Sequence, residues 1–78
     1  MRPLTDDERK KMRHALGLDN APKAYRNSYV TYGRDTLWER LCSAGAATRD
    51  SFGAADKWVY HLTDEGIAAV TDPSERER

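Results

Sequence analysis

Hydrophobic and polar positions alternate most clearly in the second half of the chain. Trp58, Tyr60 and Leu62 fall on one side of a two-residue period, and Lys57, Val59 and His61 fall on the other. That alternation predicts a half-buried strand. Thr63 follows where an N-cap belongs, with Asp64 and Glu65 at the positive end of a helix dipole, so a short helix is predicted over 64–71. Pro73 forbids its continuation. Ser74-Glu75-Arg76-Glu77-Arg78 has nothing to bury and reads as a charged, flexible tail. Near the N-terminus the period becomes helical. Thr5-Asp6-Asp7-Glu8 has the form of a capping box, Met12, Ala15 and Leu16 form one apolar stripe, and Gly17 supplies a left-handed stop after which Leu18 folds back on Met12. The spacing predicts a helix over 5–16.

Between these ends the pattern is less regular. Asn20 and Pro22 indicate a turn, while Ser28-Tyr29-Val30-Thr31-Tyr32 is rich in β-favouring residues and is closed by Gly33, which predicts a loop and then a short strand. Thr36-Leu37-Trp38-Glu39 reads as a second capping box. It opens a helix whose buried side is Leu37, Trp38, Leu41 and Ala44 and which Gly45 ends. Segments 46–50 and 57–62 then pair as a hairpin around 51–56, a loop too long for a two-residue turn. The predicted fold is α+β, a small winged-helix-like domain over 1–73 ordered helix, strand, helix, hairpin, helix, with a short antiparallel sheet. Trp38 and Trp58 lie on the apolar sides of their elements and are assigned to the core.

Charge alters this picture in one respect. The 78 residues carry 13 basic and 13 acidic side chains and no net charge, which argues against a whole-surface acidic mimic of DNA. The balance is uneven, because 1–49 holds ten basic residues against six acidic and 50–78 holds three against seven. Cys42 is the single cysteine, so an internal disulfide and a Cys-based zinc site are excluded. No run approaches membrane-spanning length and no apolar leader precedes the first helix, so a cytoplasmic protein without membrane contact is expected.

The second helix, the hairpin and the Leu62-Thr63-x-x-Gly66 step resemble the wing half of MarR-type winged-helix regulators. In those proteins a recognition helix ends in a leucine and a glycine, a hairpin wing follows, and the returning strand enters a helix through Leu-Thr-x-x-Gly. The matching residues here are Leu41, Gly45, Asp56, Leu62, Thr63 and Gly66, and the resemblance covers roughly 36–70. It implies a small DNA-binding regulator presenting Arg34, Arg40 and Arg49 on one face with the wing, as a two-fold dimer. The chain departs from that pattern where the supporting helix should be, since Tyr29–Arg34 reads as strand and turn, and Asp35 and Glu39 beside Arg40 suit phosphates poorly. Weak, sequence-independent binding of nucleic acid is the expectation. Two further stretches, Arg13-His14-Ala15-Leu16-Gly17-Leu18 and Tyr25-Arg26-Asn27-Ser28-Tyr29-Val30, resemble small proteins encoded by phages and prophages. That resemblance implies an accessory protein that binds host or phage machinery, including a defence complex such as CRISPR machinery.

The candidate binding surface is compositional. Lys23, Tyr25, Arg26, Tyr29, Tyr32 and Arg34 interleave basic and aromatic residues, and tyrosine and arginine bring large contact area for few rotatable bonds. Lys23, Tyr25, Arg26, Tyr32 and Arg34 are expected to contact a protein partner, with Tyr29 turned inward. Nothing in the chain advertises a reaction. His14 and His61 lack the further ligands that a metal needs, Cys42 lacks a neighbouring base, the acidic residues show no paired spacing, and there is no Gly-rich phosphate loop. The expectation is a non-enzymatic binding protein, monomeric or homodimeric, without a cofactor.

Overall fold

In a computed structural model, which describes residues 2–76, α1 spans Asp6–Leu16, β1 Tyr29–Tyr32, α2 Thr36–Ser43, β2 Ala47–Phe52, β3 Ala54–Leu62 and α3 Asp64–Val70, followed by a 3-10 turn at Pro73–Glu75. The strands form one antiparallel sheet in the order β1-β3-β2. This is the α+β arrangement expected, compatible with a small winged-helix-like domain. No helix of the described residues is long and apolar enough to cross a membrane.

Local chemistry accounts for most of the element ends. Thr5 and Glu8 form the reciprocal capping box, with the Thr5 hydroxyl accepting from the Glu8 amide at 3.1 Å and the Glu8 carboxylate accepting from the Thr5 amide at 2.9 Å. At the other end of α1, Gly17 takes a φ of 84° and the Leu18 amide donates to the Arg13 carbonyl at 2.9 Å, closing a Schellman motif. The start of α2 differs from expectation. Asp35, not Thr36, is the N-cap, its carboxylate accepting from the Trp38 amide at 3.2 Å. A carboxylate in that position also favours the helix dipole, and it leaves Glu39 free to turn toward the sheet.

The hairpin is tighter than the six-residue loop expected at 51–56. Both strands run on to a turn at Gly53, whose φ of 75° is open to glycine, and an irregularity between Ser51 and Phe52 absorbs the mismatch so that Phe52 sits opposite Ala54. The C-terminal stretch expected to fray from Ser74 is docked instead as far as Arg76. Asp72 caps the 3-10 turn, Glu75 takes a two-pronged ion pair from Arg13 at 3.0 and 2.8 Å, and its carbonyl accepts from the Ala24 amide at 2.7 Å. The charges that made this stretch look solvated are the groups that hold it. Glu77 and Arg78, the rest of that expected tail, lie outside the described residues.

All three helices pack on one face of the sheet. Met12, Ala15 and Leu16 of α1, Trp38 and Leu41 of α2 and Val70 of α3 meet Tyr60, Leu62, Ala46 and Ala47 in one buried cluster. At its centre the rings of Tyr29, Trp38 and Tyr60 stack in sequence, with centroids 5.3 and 5.5 Å apart. Trp38 is fully buried, as expected, whereas Trp58 is half-buried at the margin of the cluster. Gly66 makes the close approach of α3 possible, because a Cβ there would stand 2.1 Å from the Ala46 carbonyl oxygen. Beyond the end of β1 the Asn27 side chain takes the place of a strand. It accepts from the Leu62 amide at 2.8 Å and donates to the Leu62 carbonyl at 3.0 Å, continuing the β1–β3 ladder by one step. Val59 is also buried although it belongs to the opposite face, since β3 is the central strand and is flanked on both sides.

Candidate macromolecule-binding surface

The segment that carries most of the candidate residues is fixed at both ends and divided in the middle. Its first part lies along the end of α1, where the Tyr25 amide donates to the Leu16 carbonyl at 3.1 Å and the Ser28 amide to the Ala15 carbonyl at 3.2 Å. The Tyr25 ring covers Gly17 so closely that a Cβ on that glycine would stand 2.2 Å from it. Arg26 donates to the His14 carbonyl at 2.8 Å and lies over the Tyr25 ring, so its guanidinium acts on the exposed carbonyl end of α1. Lys23 is exposed nearby. At Tyr29 the chain enters β1, and alternation separates the side chains. Tyr29 turns inward onto Trp38, as expected, with the Lys11 ammonium 5.4 Å over its ring. Val30 and Tyr32 turn outward. The strand register carries the division across the sheet, placing Val30 beside Val59 and Tyr32 beside Lys57, whose ammonium lies 5.6 Å over the Tyr32 ring.

Among the described residues, Tyr25, Val30 and Tyr32 are the large apolar side chains that remain exposed, at 52%, 43% and 77%. The expected surface is therefore two patches. One is Tyr25 and Arg26 at the end of α1. The other is the outer face of the sheet, with Val30, Tyr32, Lys57 and His61. Val30 and Lys57 were not singled out by composition. The signal that could have found Val30 is the strand period itself, since a β-branched residue and a tyrosine recur on the side opposite Tyr29.

The three arginines considered for nucleic acid also separate. Arg34 and Arg49 converge on one ring, lying 5.3 and 5.2 Å over Trp58. Arg49 is paired as well, with Nη1 2.6 Å from Glu39 Oε1, while the other oxygen of Glu39 accepts from the Tyr60 hydroxyl at 2.7 Å. The Tyr60 oxygen in turn accepts from the Asp35 amide at 3.1 Å. Hydrogen bonds from Arg49 and Tyr60 hold the Glu39 carboxyl below its usual range, and burial, with Glu39 opposite, pushes the Tyr60 phenol up. Arg40 faces elsewhere. Its Nε is 3.7 Å from Glu8, a buried carboxylate that also takes both prongs of Arg2 at 2.9 and 2.8 Å. Two of the three guanidiniums thus stand against carboxylates of the same chain, and phosphate would have to compete with those partners.

The remaining chemistry is sparse. Burial pushes the Cys42 thiol up, away from a nucleophilic thiolate. His14 pairs with Asp19 at 2.5 Å on an exposed turn. Among the described residues, no three His, Cys, Asp or Glu side chains gather as a metal site. A groove of about 510 Å³ runs between the 24–27 stretch and α3, floored by Leu16, Ala24 and Ile67 and flanked by Arg26 and Asp64. No family model, curated protein or solved structure matches the chain.

Proposed function

We propose that the chain is a non-enzymatic binding protein of phage or prophage type, acting in the host cytoplasm by occupying a protein surface, with a host defence complex such as CRISPR machinery as the target class. The observation that carries this reading is Tyr32. It is 77% exposed on a strand whose alternate side chain, Tyr29, is locked into the core stack, so a large aromatic ring is held out on a rigid support. A displayed ring of this kind loses little entropy on docking, and tyrosine and arginine dominate interface hot spots. Lys23, Tyr25, Arg26 and Arg34 are proposed as further partner contacts, Tyr25 and Arg26 from the separate patch at the end of α1.

The test is phage plating on hosts armed with a defence system. Expression of the chain should raise plating efficiency on a susceptible armed host, and Tyr32→Ala should remove most of that gain while the protein stays folded. Failure to protect phage in every armed host tested would overturn the defence reading.

A second reading, a small winged-helix-like DNA-binding regulator, draws on the wing-like hairpin and on the convergence of Arg34 and Arg49 at Trp58. The carboxylates beside Arg40 and Arg49 weigh against it. Fluorescence anisotropy with random duplex near physiological salt should give dissociation constants of about 10⁻⁵ M or weaker, in the non-specific range. A nanomolar, sequence-selective complex would place the regulator first.

A further inference from the structure

The two outer strands of the sheet end differently. At the β2 edge, Arg49 is tied to Glu39 of α2 and Asp50 follows, so charge guards the backbone. The β1 edge carries Tyr29, Val30, Thr31 and Tyr32, with no charged side chain and no proline. Its hydrogen-bonding parity follows from its neighbours. The Gly33 amide donates to the Asp56 carbonyl at 2.6 Å, and Asn27 engages Leu62, both on the diagonal that pairs Tyr29 with Tyr60 and Thr31 with Trp58. The N–H and C=O groups of Tyr29, Thr31 and Gly33 therefore point to β3, and those of Val30 and Tyr32 point away from the sheet. No hydrogen bond among the described residues takes up these four backbone groups.

We propose that this edge pairs antiparallel with the β1 edge of a second copy of the chain, about a two-fold axis at Thr31. Register selects this arrangement. With Thr31 opposite its own copy, Val30 of each chain faces Tyr32 of the other, and all four outward backbone groups of each strand are matched. Shifting one way sets Tyr32 against Ser28, whose amide is already given to the Ala15 carbonyl. Shifting the other way sets Val30 against Arg34, beyond the bend at Gly33 with its φ of 80°. The chosen register also brings the exposed Val30 side chain of one copy against the exposed Tyr32 ring of the other, on the outer face, twice. Second-copy pairing thus accounts for both exposed apolar side chains of β1 at once, and it joins two three-stranded sheets into one six-stranded face. This goes beyond the binding reading, with which it shares the exposed Tyr32 ring. Two four-residue edges make a small interface, so the dimer belongs to the micromolar class.

Sedimentation equilibrium of the purified chain, without any partner, should show a reversible dimer. Val30→Lys with Tyr32→Lys sets like charges opposite each other and should weaken dimerisation by about tenfold or more. Val30→Lys with Tyr32→Glu carries equal changes but sets opposite charges across the axis, and should recover much of the association. Register is tested by oxidation in a Cys42→Ser background with glutathione disulfide as oxidant. Thr31→Cys should cross-link to its own copy, because a non-hydrogen-bonded pair brings Cα atoms to about 4.5 Å. Val30→Cys should not, because its own copy lies diagonally at about 7–8 Å. A parent chain that stays monomeric at high micromolar concentration, or charge variants that associate like the parent, would overturn the proposal. Cross-linking of Val30→Cys in preference to Thr31→Cys would overturn the register. Protection of phage and self-association are both read on the parent chain, so a parent that stays monomeric and a parent that fails to protect phage are distinguishable failures.

Discussion

Tyr29 and Tyr32 stand three residues apart on β1, and the sheet assigns them opposite surroundings. Tyr29 lies under the helices in a stack with Trp38 and Tyr60, its hydroxyl taking a hydrogen bond from Lys11 at 3.3 Å. Tyr32 lies on the bare side with Lys57 alongside. The same contrast runs across all three strands. On the inner face Leu62 and Tyr60 are buried and Arg49 is held by Glu39. On the outer face Val30, Tyr32, Thr48 and Asp50 are exposed. The comparison teaches that residue type decides little in a sheet this small. The face decides for most positions: the inner face holds the buried cluster, and the outer face leaves Val30 and Tyr32 exposed while Val59 of the central strand is buried.

The most forceful way to break the comparison is to move one residue along β3. Leu62→Ala removes a buried side chain from the shared cluster and should cost about 2–4 kcal/mol through lost transfer and the cavity left behind. That is a large part of the stability of so short a chain. His61→Ala, on the other face, should cost less than about 0.5 kcal/mol. Urea midpoints of the two variants decide the matter, and equal losses would mean that both faces carry load.

A second test concerns how the inner layer closes. Gly66→Ala places a methyl against the backbone carbonyl of Ala46, which cannot rotate away, and α3 must shift. The expected cost is about 1–3 kcal/mol, as for an overpacked core. It should appear as a lower thermal midpoint. An unchanged midpoint would show that α3 rides loosely on the sheet.

Acid should act on the packed side as well. The Arg2 guanidinium holds the Glu8 carboxyl at about 2, against 4.5 for a free glutamate, and Arg13 does the same to Glu75, also at about 2. Both folded values are depressed, so their contribution is complete above about pH 4.5 and is lost as pH falls toward about 2, where the unfolded chain has already taken up its protons. Stability measured by urea midpoints between pH 6 and pH 2 should fall in that window. Glu8→Gln should flatten the fall but not abolish it, because Glu75 remains. A Glu8→Gln profile as steep as the parent's would mean that Glu8 and Arg2 separate in solution.

The inner face was the legible half of the molecule. Strand β3, the caps at Thr5 and Thr63 and the stop at Gly17 follow from local chemistry, so the sequence pattern finds them without tertiary information. What escaped it depends on partners distant in the chain. Glu39 reads as a capping residue until Arg49 and Tyr60 are brought beside it. Glu75 reads as part of a solvated tail until Arg13 arrives from α1. The hairpin length was missed because one glycine with positive φ replaced a loop that its neighbours seemed to require. Tyrosine and arginine define the candidate segment in the sequence, but composition cannot show that a strand divides its side chains between two patches.

Tyr25 and Tyr32 give the finest test of that division. Both are exposed tyrosines of the same segment, so composition alone treats them alike. The structure distinguishes them, because the Tyr25 ring covers Gly17 and supports Arg26 at the end of α1, whereas Tyr32 covers no core residue. Tyr25→Ala should therefore lower stability by about 1 kcal/mol through lost packing, whatever it does to binding. Tyr32→Ala should change stability by less than about 0.5 kcal/mol while weakening partner binding by roughly tenfold or more. Thermal melts of the two proteins side by side, followed by affinity for a partner once one is in hand, separate these effects. If Tyr32→Ala melts as early as Tyr25→Ala, the outer face contributes to the fold, and the assignment of recognition to that face fails with it.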